Sequence, residues 1–471
     1  MISKGPWFAR KKLTFFLLIW GVFYSFTTTA GEVKPAPDIK SGGVSQLGHL
    51  TVIGADPSGN QNLTIPPYKG EAITPPINWK AGEHYEDPFE SDQPVFNINA
   101  KNLSEFKDKL ALGQQILISR NRDYQLPIYQ TRRSATFPEF ILSGSRENKK
   151  TAKLANNGNS VAHFKEGIPF PALSKNTQTA ALQAIWNHIT RYRGGSIERT
   201  VIQTTVFDDG DYVPIRYYQR YTRTEHLASK PDISSGNILF YYLDRITSPS
   251  RLSGTTLLIH ETLDQSEERR LTWLYNKDLR RVHRAPGLGY DTPAPGTYGL
   301  RTADSYDMFN GSPDKYDWQY HGKQELYIPY NAYKLSSSQR QYDEILHANA
   351  VNPAHTRWEL HRVHKIEAIL KDGQRHIYGK RVFYLDEDTW TIVLAEQYDN
   401  RGELWRIAEG HMINYYDHDL NYYAMEVTYD LLSGRYFVFG LSNEESFAYK
   451  FNRTFKRSDY TPAALRRSSR G

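Results

Sequence analysis

The feature that most constrains this fold is a long stretch of period-two hydrophobicity between residues 197 and 441. Alternation of apolar and polar residues is typical of β-strands, whose successive side chains point to opposite faces of a sheet. Short runs of turn-forming residues separate many of the segments, among them Asp208-Asp209-Gly210, Asn400-Arg401-Gly402 and Ser433-Gly434. The predicted strands span 197–207, 211–222, 237–243, 255–263, 270–276, 324–330, 357–370, 375–385, 389–399, 403–416, 423–432 and 435–441.

Short turns between successive strands predict antiparallel pairing, because parallel neighbours need long crossover connections. An open sheet of ten or more strands does not stay flat, so we expect it to curl toward a barrel and to present a concave face. The predicted fold class is α+β and mainly antiparallel β. Its centre is a large, curled and incompletely closed barrel-like sheet with covering helices.

Helices are predicted outside and between the strands. Residues 102–120 have near-helical apolar spacing, and 179–193 carry one apolar stripe followed by Gly194-Gly195 as a stop. Shorter amphipathic pieces lie at 302–310 and 339–347. We expect these helices to cover the concave face of the sheet.

The N-terminus has the three-part layout of a cleaved export signal. Lys4, Arg10, Lys11 and Lys12 precede an apolar stretch from Leu13 to Phe26, and small residues precede Gly31. The alternative is an uncleaved anchor, but the apolar stretch is shorter than the roughly 20 residues that a spanning helix needs. The predicted organisation is a signal peptide at 1–30, a proline-rich extended arm at 31–100, a helical segment packing on the sheet at 101–195, a β domain at 196–452, and a basic, disordered tail at 453–471.

The charge of the chain is concentrated at its two ends. Removal of residues 1–30 takes away four positive charges and no negative ones, so the net charge falls from +6 to +2. The tail carries six positive residues and one negative, which leaves the body slightly acidic and gives no reason to expect nucleic-acid binding. The chain has no cysteine, so no lipid can be attached at a mature N-terminal cysteine. We therefore expect a periplasmic protein without a stable membrane span after signal cleavage.

The familiar sequence motifs of enzymes, cofactor sites and metal sites are absent. No G-x-S-x-G and no phosphate-binding loop occurs, and His260-Glu261 lacks the second histidine of a zinc-protease motif. His361 and His364 are three apart in a predicted strand, where they would face opposite sides. Asp386-Glu387-Asp388 forms a tight turn, which rarely offers the 6–8 oxygens that calcium prefers. The sequence therefore predicts no catalytic residue, no metal ligand and no cofactor, and favours a non-enzymatic role.

Several short stretches resemble the exported proteobacterial family called domain of unknown function 1329. They are GIPFP at 167–171, AIWNH at 184–188, RYRG at 191–194, WLYN at 273–276, RRV at 280–282, DMFNG at 307–311, DW at 317–318, IPYN at 328–331 and GELWR at 402–406. The resemblance covers nearly the whole mature chain. It implies a family but no particular activity.

A second, weaker resemblance is to the lipoprotein-localisation carriers, which have an open antiparallel half-barrel closed by helices. The segment from Leu271 to Val282 and the hairpin from Thr389 to Ile407 carry it. This resemblance implies a carrier or chaperone that binds a lipophilic small molecule or lipid, with an inner-membrane transporter or other envelope protein as partner. The implied ligand-binding residues are Trp273, Tyr275, Phe383 and Leu385, and the implied lid residues are Ile185, Trp186, Met308 and Phe309. Two alternatives stay open: a structural partner in an envelope complex, and a periplasmic hydrolase with a dispersed site.

Overall fold

The computed structural model describes residues 50–228, 236–285, 290–447 and 449–468. The predicted signal peptide and the first part of the predicted arm lie outside these residues. The strands are β1 (Phe96–Ile98), β2 (Leu126–Ile128), β3 (Lys153–Ala155), β4 (Ser160–Ala162), β5 (Ser196–Val206), β6 (Ile215–Arg223), β7 (Ile238–Ser248), β8 (Thr256–Thr262), β9 (Leu271–Asn276), β10 (Arg281–Arg284), β11 (Tyr316–Pro329), β12 (Trp358–Leu370), β13 (Lys380–Asp386), β14 (Ile392–Tyr398), β15 (Leu404–Tyr415), β16 (Leu420–Asp430), β17 (Tyr436–Leu441) and β18 (Tyr449–Lys450). The helices are α1 (Leu103–Phe106), α2 (Leu112–Arg120), α3 (Glu139–Thr151), α4 (Thr177–Thr190), α5 (Tyr342–Ile345) and α6 (Pro462–Ser468).

The strands form one large antiparallel sheet, as predicted. Its main order is β11-β12-β13-β14-β15-β16-β17-β5-β6-β7-β8-β9-β10, so the meander β11–β17 meets the meander β5–β10 where β17 pairs with β5. Strand β2 extends the sheet beside β12 through a parallel bridge at Trp358, and β3 and β4 form a separate ladder. Among the described strands, β10 pairs only with β9 and β11 only with β12. The sheet therefore has open edges and is not closed.

Helix α4 shows how the local sequence positions a cover on this sheet. Its N-cap, Asn176, accepts a hydrogen bond from the backbone N–H of Thr179 at 2.9 Å. Its apolar stripe, which includes Ile185 and Trp186, is buried as the helix packs against β11 and β12. The helix ends at Thr190 rather than at 193, because Arg191 leaves the helical conformation. Strands β13 to β17 are buried along almost their whole length, so elements pack on both of their faces.

The described part of the predicted arm, residues 50–100, contains no helix or strand before β1. It nevertheless contributes Ile53, Ile65 and Tyr85 to the main hydrophobic core. The indole N–H of Trp390 donates to the carbonyl of Ile53 at 2.7 Å. These contacts attach the arm to the body without regular secondary structure. The following segment, predicted to be helical over 101–195, holds α1 to α4 but also the short strands β2, β3 and β4.

The described residues of the C-terminal tail include regular structure, although the sequence predicts disorder from 453. After β18 pairs with β5, the chain forms α6 and buries Tyr460 and Leu465. Both residues belong to a second apolar cluster with Tyr241, Leu258 and Tyr275 from the sheet. Basic composition alone suggested a solvated tail, but these two apolar side chains are sufficient to dock it on the sheet face opposite the cavity described below.

Candidate functional site

The candidate site is a cavity between β5–β9 and a covering segment, residues 290–311, which we call the cover. Its internal volume is about 120 Å³. The residues that give it an apolar lining are Tyr217, Phe240, Tyr242, Ile246, Leu257, Ile259, Leu274, Pro295, Tyr306 and Phe439. An engineered apolar cavity of ~150 Å³ is sufficient to bind benzene, so this space is of ligand-binding size.

The cavity wall follows from the strand period. On β7, Tyr242 and Asp244 face the cavity, and on β8 the corresponding residues are Leu257 and Ile259. These positions are two apart, as the pleat requires for side chains on one face. The residues between them, such as Leu258, belong to the cluster on the opposite face, which the tail covers.

At one polar corner of the cavity, two side chains of opposite charge form an ion pair. The Arg270 guanidinium lies 2.7 Å from the Glu261 carboxylate, and both residues line the cavity. Asn310 of the cover donates from its side-chain amide to Glu261 at 2.8 Å, while its carbonyl accepts from Arg270 at 2.8 Å. This network joins β8 and the start of β9 to the cover. It holds the cover at a fixed distance from the sheet.

A second polar region contains Asp244 and Arg301. Burial raises the pKa of Asp244 to about 7, against the lowering effects of a hydrogen bond from Gln219 and the charges of Arg199 and Arg301. Arg301, on the cover, is buried with its guanidinium over the rings of Phe437 and Phe439 at 4.9 and 4.8 Å. The cavity thus combines a mainly apolar wall with a few convergent ionisable groups.

A buried ion cluster also anchors the cover near its C-terminal end, at Asp307. Asp307 accepts hydrogen bonds from Arg191 at 2.7 and 2.7 Å, and from Arg193 at 2.9 and 2.5 Å. All three side chains are at most 3% exposed. Asp307 and Met308 both have positive φ, 56° and 64°, a backbone conformation that few non-glycine residues adopt. The cluster therefore holds a strained bend of the cover against the end of α4.

Of the four residues expected to bind ligand, two lie on the wrong face for this cavity. Trp273 and Tyr275 on β9 pack with the tail cluster, and their neighbours Thr272 and Leu274 line the cavity instead. Successive residues of a strand point to opposite faces, so Trp273 and Tyr275 face away from this cavity. Phe383 and Leu385 on β13 are fully buried in the main core and do not line the cavity.

The expected lid residues lie in helix α4 and in the cover, but their side chains pack in the hydrophobic core. Ile185 and Trp186 on α4 are buried, and the Trp186 indole donates to the carbonyl of Gly158 at 2.8 Å. Met308 and Phe309 belong to the cover and are at most 2% exposed. The cover residues that line the cavity include Tyr306 and Asn310, just outside that pair.

One group of side chains in the described residues has the composition of a metal site. Ligand atoms of His361, Asp386 and Asp388 all lie within 4.8 Å of one another, and all three residues are buried. Arg133 already holds Asp388 through two hydrogen bonds of 2.9 and 2.6 Å, and His361 Nε2 lies 3.2 Å from Glu359. Burial, followed by the charge of Asp388, raises the pKa of Asp386 to about 7. Thr389 donates to Asp386 at 2.7 Å, so protein groups already engage all three potential ligands. His364, which the sequence placed on the other face, stacks on Trp390.

The residues missed from sequence share one property. Leu257 and Arg301 lie outside the stretches that carry the family resemblances, and they line the cavity, with Leu274, because the cover leaves a gap there. The period-two pattern separates the two faces of these strands, but other parts of the chain pack on both faces. Alternation alone does not show on which face that packing leaves a cavity. The sequence did contain one usable signal. The cover is rich in polar residues, and the face of β9 beneath it carries fewer aromatic side chains than the opposite face.

Comparison with known proteins identifies relatives over most of the chain. Residues 97–466 match the family model described as a protein of unknown function, DUF1329. A protein of Pseudomonas aeruginosa named "Uncharacterized protein PA3922" is 45% identical over 457 residues, which cover 97% of this chain and 99% of the relative. Within the described residues, no helix combines the length and the apolar character needed to cross a bilayer.

Three solved structures are similar. A putative outer membrane lipoprotein-sorting protein domain from Vibrio parahaemolyticus is 16% identical, covering 58% of this chain and 92% of that chain with a TM-score of 0.40. A DUF1329 family protein from Desulfovibrio piger is 15% identical, covering 57% and 90% with a TM-score of 0.39. The LolA superfamily protein NE2245 from Nitrosomonas europaea is 15% identical, covering 60% and 97% with a TM-score of 0.36.

Proposed function

The chain belongs to the DUF1329 family, and from that premise we propose that it is a non-enzymatic periplasmic carrier or chaperone that binds a lipophilic ligand in the cavity under the cover. The observation that carries the proposal is the apolar cavity of about 120 Å³ in an otherwise well-packed sheet domain. Protein interiors are normally packed solid, so a cavity of this size with few convergent polar groups favours a ligand. The proposal includes export by the predicted signal peptide.

The apolar lining favours this cavity over the other depressions of the described surface. A wider groove of about 620 Å³ lies beside β7 and β8 on the tail side, and its lining includes His260, Asp264, Glu267 and Arg457. A lipophilic ligand gains free energy in proportion to the apolar area that it removes from water. The polar groove offers little such area. The cavity under the cover is therefore the better candidate for a lipophilic ligand.

Delivery of the ligand requires a partner, and we propose an envelope protein such as an inner-membrane transporter. The edge strand β10 supports this part of the proposal. Its residues Arg281, His283 and Arg284 are exposed, and β10 has one strand partner in the described sheet. An exposed strand edge can pair with a strand of another chain.

Native purification and a matched pair of variants test the proposal. Protein purified from the periplasm is extracted with organic solvent, and mass spectrometry of the extract is expected to show a bound lipophilic molecule. Binding of the neutral fluorescent probe N-phenylnaphthylamine is then compared between Leu274→Trp, which fills the cavity, and Trp273→Phe, on the opposite face of the same strand. We expect Leu274→Trp to abolish probe binding and Trp273→Phe to keep it. A reproducibly empty protein that binds no probe would overturn the carrier proposal.

A further inference from the structure

Among the buried arginines of the described residues, Arg301 has two side-chain nitrogens without a hydrogen-bond partner, whereas Arg191 and Arg381 have one each. Arg301 is 8% exposed and lines the cavity, yet its Nε and Nη1 atoms are buried without a hydrogen-bond partner. No carboxylate of the described residues forms an ion pair with it within 4.0 Å. By contrast, Arg270 pairs with Glu261 at 2.7 Å, and Arg381 pairs with Asp304 at 2.6 Å.

An unpaired buried guanidinium is costly, because its N–H groups have lost water and gained no acceptor. Stacking on Phe437 and Phe439 stabilises the flat faces of the group but leaves the in-plane donors free. Two of those donors are the unpartnered Nε and Nη1. A charged N–H donor of this kind forms a short and strong hydrogen bond to an oxygen of a carboxylate or phosphate.

The charges around Arg301 leave this part of the cavity cationic near neutral pH. Arg199 lies nearby and donates to Gln219 and Tyr449, which are neutral. The facing acids are Asp244 and Glu426, and burial raises the pKa of each to about 7. Burial thus favours the neutral form of each carboxyl, while both guanidiniums stay charged. An anion entering beside Arg301 would complete the charge balance.

We propose that the ligand is an amphiphile with an anionic head, a carboxylate or a phosphate, which Arg301 binds through its free N–H donors while the apolar wall holds the chain. The inference rests on the proposed function and names the ligand class for the same cavity. A free inorganic anion would satisfy Arg301 as well, but it would leave the apolar wall of Leu257, Ile259 and Leu274 without a partner. The mixed lining favours one molecule that carries both parts.

The test compares octanoate, octyl phosphate, octanol and inorganic phosphate by isothermal titration against the full-length protein. We expect octanoate or octyl phosphate to bind at least about tenfold more tightly than octanol, as a charge-assisted hydrogen bond in a buried site predicts. Inorganic phosphate is expected to bind much more weakly than octyl phosphate. In Arg301→Gln the preference for the charged head over octanol should fall to near one. In Asp244→Asn, which removes the competing carboxylate, octanoate should bind more tightly above about pH 7.

Each result decides one of the two proposals. Equal affinity for octanol and octanoate in the wild-type protein would overturn the anionic head and leave the lipophilic carrier standing. Tight binding of inorganic phosphate, with no gain from the octyl chain, would overturn the amphiphile. Failure of all four molecules and of the neutral probe would overturn the carrier itself. If Arg301→Gln does not fold, the wild-type comparison and Asp244→Asn still decide the question.

Discussion

Neutralising Asp307 should strongly destabilise the protein. In Asp307→Asn the shape is kept, and asparagine tolerates the positive φ of 56° as well as aspartate does, so the charge is tested apart from the strain. The wild-type carboxylate accepts four hydrogen bonds from Arg191 and Arg193. Removing its charge leaves two buried guanidiniums facing a neutral amide, and breaking a buried ion pair in this way costs about 3–5 kcal/mol.

The expected shift in melting temperature follows from the size of the body. An unfolding entropy of about 2.1 cal/mol/K per residue over roughly 420 residues gives about 0.9 kcal/mol/K, so a loss of about 4 kcal/mol lowers Tm by about 4–5 °C. Thermal unfolding is followed by circular dichroism, with Asp278→Asn as the control because its side chain is 79% exposed. We expect the control to melt within about 1 °C of the wild type. An Asp307→Asn protein that melts equally close to the wild type would refute the reasoning.

The pH dependence gives the same prediction a second measurement. Burial alone would raise the pKa of Asp307, but the charges of Arg191 and Arg193 outweigh it and hold that pKa well below its usual range. A carboxyl with a lowered folded-state pKa contributes stability above its unfolded pKa, and this contribution disappears as the pH falls through the folded value. The Tm difference between wild type and variant should therefore narrow below about pH 4. A constant difference down to about pH 2 would contradict the assignment.

Three further perturbations test the tail, the cavity and the arm. Leu465→Ala removes a fully buried side chain that docks the tail and should cost about 2–5 kcal/mol in urea unfolding; an unchanged midpoint would mean that the tail does not pack on the sheet. Because burial raises the folded-state pKa of Asp244 to about 7, its stabilising contribution is full below the unfolded pKa of about 4 and is lost as the pH rises through 7. Asp244→Asn should therefore raise Tm relative to wild type at about pH 8.5 and have a smaller effect at about pH 5, and an equal effect at both would contradict this. Gly54→Ala would place a Cβ 1.9 Å from the carbonyl oxygen of Pro171, whereas Gly82→Ala, at a similar φ, meets nothing within 4 Å. Limited proteolysis should release the arm in the first variant and not in the second.

The sequence predicted the sheet well because its signal is local. Period-two alternation and turn residues located β5 to β9 and β12 to β17 to within a few residues at most boundaries. The prediction missed β10 and the first half of β11, where the buried Tyr316 and Trp318 alternate with exposed residues. Strand β10 is a short basic edge, and the first half of β11 carries exposed residues such as Asp317 and Gln319. Edge strands need not alternate, because one or both of their faces meet water.

The site was harder to predict because it depends on contacts that are distant in sequence. The bulky aromatics Trp273 and Tyr275 indicated a pocket face, but they pack under the tail, whose docking the composition concealed. The motifs containing Arg191 and Asp307 were visible as resemblances, but their meeting in one buried cluster required the fold. The sequence did not indicate a role for Arg301 as a ligand-binding residue. That role depends on the fold, in which no neighbouring group accepts hydrogen bonds from its Nε and Nη1.

The junction between β17 and β5 has a consequence for how the chain acquires its structure. Each meander is built from hairpins whose contacts are close in sequence, but Tyr436 opposes Val206, more than two hundred positions earlier. Contacts of such high sequence separation form against a large loss of loop entropy and slow the folding of β proteins. Strand β5 thus lacks its β17 neighbour until almost the whole chain is available. A chain of this topology completes its sheet only after β17, close to the C-terminus, has been synthesised.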